Sequence, residues 1–485
     1  MTRLGKTSII AGTANLLLFL LTGVMPYDQQ QLHYFNLAEA QEAIEEEAEE
    51  EEVEVEDEEE EEEEEGACID YDSTENTIVI NCDGSFLDVV QAINDDPEIL
   101  EDLGNGEYLL NANLEVADDV SFEMNSDEDD LQYLKIAGAN GIIVNGRIEI
   151  SGIIITSWDT EANSPIFQTI TGSVPRAFIN LRGSEGGFVH DSEIAYLGYQ
   201  EFGRRGFDLL GDGPSHDLEI RGSKFHNMWF AFYSNGAYNI VVDGNEYHHN
   251  IKYALDPHIG TYNMNITNNW LHHNPIGAIC SVNCSNILVE GNVIHHNTDY
   301  GIFFSRNMSD SIARNNQIYN ATTGIMVSES PNNQIYNNTI EAATSQGIRL
   351  QNPVVPDDGL TEGNLVYNNT IISSGEGIGA TRSHDNILEN NTFSNIASSE
   401  YLLSGNSGII IRGQNFDNTL IAEDGSATDN LVEIVDSGTI EVTEVANDGG
   451  EDRDDEEEAE NNFYNTDNEP YRKRFSDGDS IIVNS

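Results

Sequence analysis

The sequence predicts an all-β chain built as a parallel β-helix, and three observations predict it. Corner pairs Gly244-Asn245, Asn268-Asn269, Gly291-Asn292, Asn315-Asn316, Asn337-Asn338, Asn368-Asn369 and Asn390-Asn391 recur at spacings of 24, 23, 24, 22, 31 and 22 residues. Short aliphatic runs lie between them, as in Gly324-Ile325-Met326-Val327, and no helix-length periodicity interrupts the pattern. Strands this short in a 22–24-residue repeat cannot form a sandwich. A coil of about three strands, stacked on the next at ~4.8 Å, buries the aliphatic side chains and pairs the backbone edges.

From the N-terminus, Arg3 and Lys6 precede an apolar run from Ser8 to Met25, so residues 1–25 read as a signal peptide or a membrane anchor. Both readings put the body of the chain outside the cytoplasm, extracellular or at the cell surface. Residues 26–66 form an acidic linker: Glu45 to Glu65 holds 18 acids in 21 positions and cannot bury enough apolar surface to fold. Cys68 and Cys82 flank two strand-like pieces around a turn, which predicts a disulfide-stapled hairpin, and Cys280 and Cys284 suit a strand end bridged to its own turn. A small α+β cap is expected over 67–133, with a helix from Ser85 to Leu103 that Pro97 kinks or ends. The solenoid is expected over 134–425, with outward loops at Tyr199–Arg205 and Pro353–Thr361 and with Ser192 and Ser223 continuing the corner column backward. An acidic tail, 426–485, carries the basic segment Tyr471 to Phe475, read either as folding back on the body or as an attachment point.

The 485 residues include 87 Asp and Glu against 20 Lys and Arg, a formal charge of -67. That balance excludes unaided binding to nucleic acid, and its spread beyond the linker suits a surface hydrated in high salt. The chain is expected to be a monomer that requires no cofactor, with Ca2+ as an option for a polyanionic substrate or for structure. His248-His249, His272-His273 and His295-His296 fall at equal offsets from successive corner asparagines and should stack. A metal reading of His272, His273, His295 and His296 competes with a simpler one, in which the repeat merely repeats its corner, and no metal site is assigned.

One coil departs from the aliphatic pattern. Tyr253-Ala254-Leu255-Asp256-Pro257-His258 sets a phenol, a carboxylate and an imidazole within six residues. Asp256 and His258 are two apart and share one face, while Tyr253 lies on the preceding corner. Taken alone, the hexapeptide also fits a polar corner with a satisfied histidine.

The hexapeptide resembles the Y-G-x-D-P-H motif of mannuronan C5-epimerases, with Ala254 in the glycine's place. Ser157-Trp158-Asp159, Ser192 to Tyr199, Phe230-Ala231-Phe232-Tyr233 and Gly301 to Arg306 extend the resemblance in order, over about Leu134 to Asn391. It implies a right-handed β-helix acting on an extracellular polyuronate, by proton removal at C5 and return of a proton to the opposite face; expulsion of the 4-linked sugar instead would make a lyase. By that resemblance His258 is the base, Asp256 orients it or binds substrate, Tyr253 handles the second proton, and Arg306 neutralises the substrate carboxylate. The sequence departs from the family at the last role, since Val282 stands where one branch keeps its arginine and Asp299-Tyr300 where another keeps Arg-His. Lys252, Arg204 and Arg205 are alternative cations. Ser234, Ser281, Ser305 and Ser328 stack with His258 in the counted register and, with Tyr300, are candidate substrate contacts. A non-catalytic surface solenoid that binds glycan or metal is the competing reading.

Overall fold

The computed structural model describes residues 67–93, 96–210, 213–353, 359–413, 419–423, 430–434, 441–445, 471–475 and 480–484. The expected export segment, the acidic linker, part of the Pro353–Thr361 loop and most of the tail lie outside the described residues.

Short strands stack in parallel register into three sheets, as a right-handed β-helix of about 13 coils. The first sheet includes Gly206–Leu209, Phe230–Asn235, Tyr253–His258, Ile276–Ser281 and Tyr300–Ser305. The third includes Lys224–His226, Glu246–His248, Trp270–His272 and Val293–His295. Alternation decides which side chains meet inside: Leu271, Ile294, Ile318, Ile340 and Ile371 occupy one register column of the third sheet, and each is at most 1% exposed. Burying such a side chain contributes about 1.5–3 kcal/mol, so the core gains by repetition what no single three-residue strand could supply.

The corners are closed by asparagines that bond to one another. The Oδ1 of Asn269 accepts the backbone N–H and the Nδ2 of Asn245 at 3.0 and 3.1 Å, while the Nδ2 of Asn269 donates to the Val242 carbonyl at 2.9 Å. The pattern repeats through Asn292, Asn316, Asn338, Asn369 and Asn391. Ser192 and Ser223 continue the column backward, as the spacing predicts.

Coil stacking begins ahead of residue 134. Thr77–Ile80 and Asn113–Val116 already run parallel to Gly141–Val144, so much of the segment read as a separate cap is solenoid. The helix is Phe86–Ile93, shorter than expected, with Phe86 and Val89 buried; Leu100–Gly104 turns into a strand antiparallel to Glu107–Leu110. Pro97 has no N–H to offer the Ile93 carbonyl and its ring would crowd that oxygen, which accounts for the early stop. Cys68–Cys82 staples the antiparallel hairpin Ile69–Asp72 with Thr77–Ile80, and Cys280–Cys284 closes a buried turn. At the other end Tyr471–Phe475 pairs antiparallel with Asn430–Ile434, so the basic segment folds back as a strand that covers a sheet edge. Among the described residues no helix is long and apolar enough to cross a membrane.

Candidate active site

Tyr253–His258 is buried along its whole length. The core takes Leu255, so alternation turns Asp256 and His258 to the opposite face of the first sheet. There Asp256 Oδ1 and His258 Nδ1 face each other at 3.5 Å, and neither atom makes a hydrogen bond. Burial pushes the Asp256 carboxyl up, while His258 and Arg205 pull it down. Tyr253 is pushed well above the ordinary phenol range by burial first, then by the nearby Asp256, Asp299 and Tyr300. Ala254 replaces the family glycine at a crowded column: in the next coil a Cβ on Gly277 would lie 2.7 Å from the Gly301 carbonyl oxygen, yet Ala254 is accommodated without exposure.

The register places a polar column beside the motif. Asn180, Asp208, Tyr233 and Asp256 are successive partners across four coils. Asn180 Oδ1 and Asp208 Oδ1 are buried without a hydrogen bond. Burial raises the Asp208 carboxyl to about 7, against the pull of Arg205, whose backbone N–H donates to Asp208 Oδ2 at 2.6 Å. The Arg205 guanidinium sits 4.5 Å from the Tyr233 ring centre, and the Tyr233 ring lies 5.5 Å from that of His258. Asp208 and Asn180 were beyond reading from sequence, because nothing local distinguishes Phe207-Asp208-Leu209 from other strands; only the register of Tyr233 on Asp256 points back to them.

Among the described residues, Arg205 is a cation electrostatically coupled to Asp256. Arg306 is buried on a left-handed corner two coils from His258, following Ser305. Arg204 donates to the Tyr199 hydroxyl at 3.0 Å and pairs with Glu201 at 3.3 Å. Lys252 lies 5.1 Å from the Trp229 ring centre, and burial lowers its pKa. Ser281, Ser305 and Ser328 share the His258 rung as expected, though each is buried. Ser234 is one position off it, paired with Pro257, and its hydroxyl bonds Thr261 Oγ1 at 2.9 Å; the spacing count missed by one residue. Tyr300 shares a rung with Tyr253 through Ile276.

The loop beside the site is pinned from below. The fully buried Arg176 donates to the carbonyls of Leu197, Gly198 and Asn227 at 2.6, 2.8 and 2.9 Å. Burial lowers its pKa to about 9.

On the third sheet His226, His248, His272 and His295 stack at ring separations of 4.7, 5.1 and 5.0 Å, as the equal offsets predict, and His249, His273 and His296 form a second stack at 4.9 and 5.1 Å. Burial first, then neighbouring rings, lowers His248 and His295 to about 4. Among the described residues no group of three or more His, Cys, Asp or Glu is arranged to hold a metal ion.

The family model described as a right-handed beta helix region matches residues 140–307, and one described as periplasmic copper-binding protein (NosD) matches residues 233–401. The chain is 24% identical over 241 residues to a mannuronan C5-epimerase of Pseudomonas putida, a match covering 46% of each protein. It is 26% identical over 245 residues to that of Pseudomonas syringae pv. tomato, covering 48% of this chain and 45% of that one. The chain thus spans less than half the length of these curated relatives. The crystal structure of the periplasmic alginate epimerase AlgG aligns with a TM-score of 0.61 at 21% identity, over 69% of this chain and 85% of the other, which establishes the shared fold.

Proposed function

We propose that this chain, a right-handed parallel β-helix protein of the mannuronan C5-epimerase-like family, exchanges the C5 proton of a uronic acid unit in a polyuronate. The observation that carries the reading is the facing pair Asp256 and His258 on one sheet face, with Tyr253 on the corner before it and Arg205 on the adjoining loop both coupled to Asp256. In this reaction Asp256, which faces His258 Nδ1 at 3.5 Å, draws in to hold the Nδ1 proton, which leaves Nε2 bare to take the C5 proton. The C5–H electrons pass into the substrate carboxylate, and Arg205 neutralises the charge that develops there. Tyr253, kept protonated by burial, returns a proton to the opposite face and is reprotonated from solvent as His258 releases its acquired proton there, which restores both groups. Expulsion of the 4-linked oxygen from the same intermediate would instead leave an unsaturated sugar.

The acidic surface repels a polyanion, so turnover should require salt or a divalent cation such as Ca2+ to screen it. The two disulfides suit a site of action outside the cytoplasm. A second reading, a solenoid that binds glycan or metal without turnover, is favoured by Val282 at the family arginine's position and by the match to a family described as copper-binding.

The test is incubation with polymannuronate and other polyuronates in D2O. Deuterium at C5 by NMR without ultraviolet absorbance from unsaturated ends supports epimerisation; absorbance means a lyase; neither signal, across salts and calcium, leaves the binding solenoid.

A further inference from the structure

We infer that Arg349 and Gln346 form a distal subsite for the carboxylate of a second uronate unit, on the face of the first sheet that carries Asp256 and His258. The inference rests on the polyuronate reading of that coil and adds a minimum length to the chain it takes.

Register sets the position. Leu255, Ala278, Ile302, Ile325 and Ile348 are successive partners in neighbouring coils, and all belong to the core. The residue after each faces the other way, so Asp256, Ile279, Phe303, Met326 and Arg349 form one outward column. Tyr253, Ile276, Tyr300, Thr323 and Gln346 form another column of partners in the same strands. Arg349 and Gln346 thus stand to each other as Asp256 and Tyr253 do, four coils further on. At ~4.8 Å per coil that is ~19 Å along the axis. One coil is close to the length of one 4-linked sugar unit, so a chain laid along the sheet carries a carboxylate past Arg349 while another unit occupies the His258 coil. Midway, Phe303 and Tyr300 have ring centres 4.8 Å apart and are both partly exposed, an apolar surface for the sugar faces between.

Arg349 lacks the partner that arginines elsewhere on the solenoid have. On the second sheet Arg147 pairs with Glu149 at 3.0 Å, Arg314 with Glu290 at 2.7 Å and Arg412 with Glu389 at 2.9 Å. Arg349 is half-buried, forms no ion pair among the described residues, and has its Nε buried without a hydrogen bond, in a chain that holds 87 acids. Gln346 is 6% exposed, and its Oε1 is likewise buried without a hydrogen bond. Its Nε2 donates to Glu376 Oε2 at 2.5 Å, which occupies an oxygen of the acid one coil further on. Glycine makes room for this arrangement: a Cβ on Gly379, the register partner of Arg349, would overlap Gln346 Nε2. A guanidinium kept from the protein's own carboxylates retains the planar fork that binds a carboxylate through two parallel hydrogen bonds.

The test measures binding of two oligomannuronates, a trimer and an octamer, to the full chain by calorimetry, alongside C5 exchange in D2O. The octamer should bind the unmodified chain more tightly than the trimer, which is too short to reach from the His258 coil to Arg349. Arg349→Gln should lower octamer affinity and raise the octamer KM by about tenfold, the scale of one charge-assisted contact, with trimer binding and kcat unchanged. An octamer of neutral mannose units should not respond to the substitution. An octamer that binds no more tightly than the trimer, octamer affinity unchanged in Arg349→Gln, or equal loss for both lengths would overturn the subsite. Length-dependent binding that Arg349→Gln abolishes, without any exchange, keeps the subsite and removes the catalytic reading; exchange without length dependence does the opposite. Circular dichroism checks folding, and Arg349→Met serves as the second variant if Arg349→Gln fails to fold.

Discussion

Two buried polar columns run along this solenoid, and they differ in how completely they are satisfied. From Asn245 to Asn369 each asparagine in the corner column places its amide between a backbone carbonyl and the next asparagine, at 2.9–3.1 Å. In the column Asn180, Asp208, Tyr233, Asp256, with His258 beside it, four polar atoms are buried without a hydrogen bond: Asn180 Oδ1, Asp208 Oδ1, Asp256 Oδ1 and His258 Nδ1. A closed network gains nothing from a ligand. One that holds unspent acceptors under a loop bearing Arg205 carries a cost that a bound sugar can offset. The same fold thus builds a strut and a site by changing only which polar groups stack.

The largest test of that contrast is His258→Ala, which should lower C5 exchange by about 10²–10⁴-fold, the range for a lost general base, with the thermal unfolding midpoint little moved. Exchange that survives would break the assignment of the base.

Asp208→Asn follows. Burial raises the folded carboxyl to about 7 from 3.8, so the folded chain holds that proton more tightly than the unfolded one. This group's stabilising contribution is full below the unfolded value, falls as pH rises toward 7, and is constant above it. Urea unfolding of both proteins between pH 4 and pH 8 should show the variant gaining on the parent by about 4 kcal/mol as pH rises. Parallel curves would mean that the second column is no more strained than the first.

Arg205→Ala should cost about 10²-fold in exchange, the scale of one lost electrostatic contact to developing charge, with Arg306→Ala costing little. The reverse order would return the carboxylate role to the arginine two coils away.

The smallest effect belongs to the satisfied column. Asn316→Ala strips partners from Asn292 and should destabilise by about 1–3 kcal/mol in urea unfolding, leaving exchange unchanged. A loss of exchange without loss of stability would make the strut part of the site.

Much of the site was legible because one strand contains it. Alternation alone sets Asp256 and His258 on a common face, and the structure keeps them there, 3.5 Å apart. Arg205 could be named only as one cation among several, since its loop leaves the repeat and has no register to count. Ser234 shows the limit of counting: Asn235, not Ser234, pairs with His258. The early coils were hidden for a related reason. Thr77–Ile80 and Asn113–Val116 stack like later strands but lack the asparagine corners that reveal the period.

The repeat, the aliphatic alternation and the corner asparagines were sufficient by themselves to determine a parallel β-helix, because each is a local rule applied many times and errors at single positions do not accumulate. Which cation is coupled to Asp256 and which acids lie beneath the loop depend on contacts between coils 22 to 31 residues apart. Those relations exist only once the coils have stacked, and the tertiary structure alone decided them.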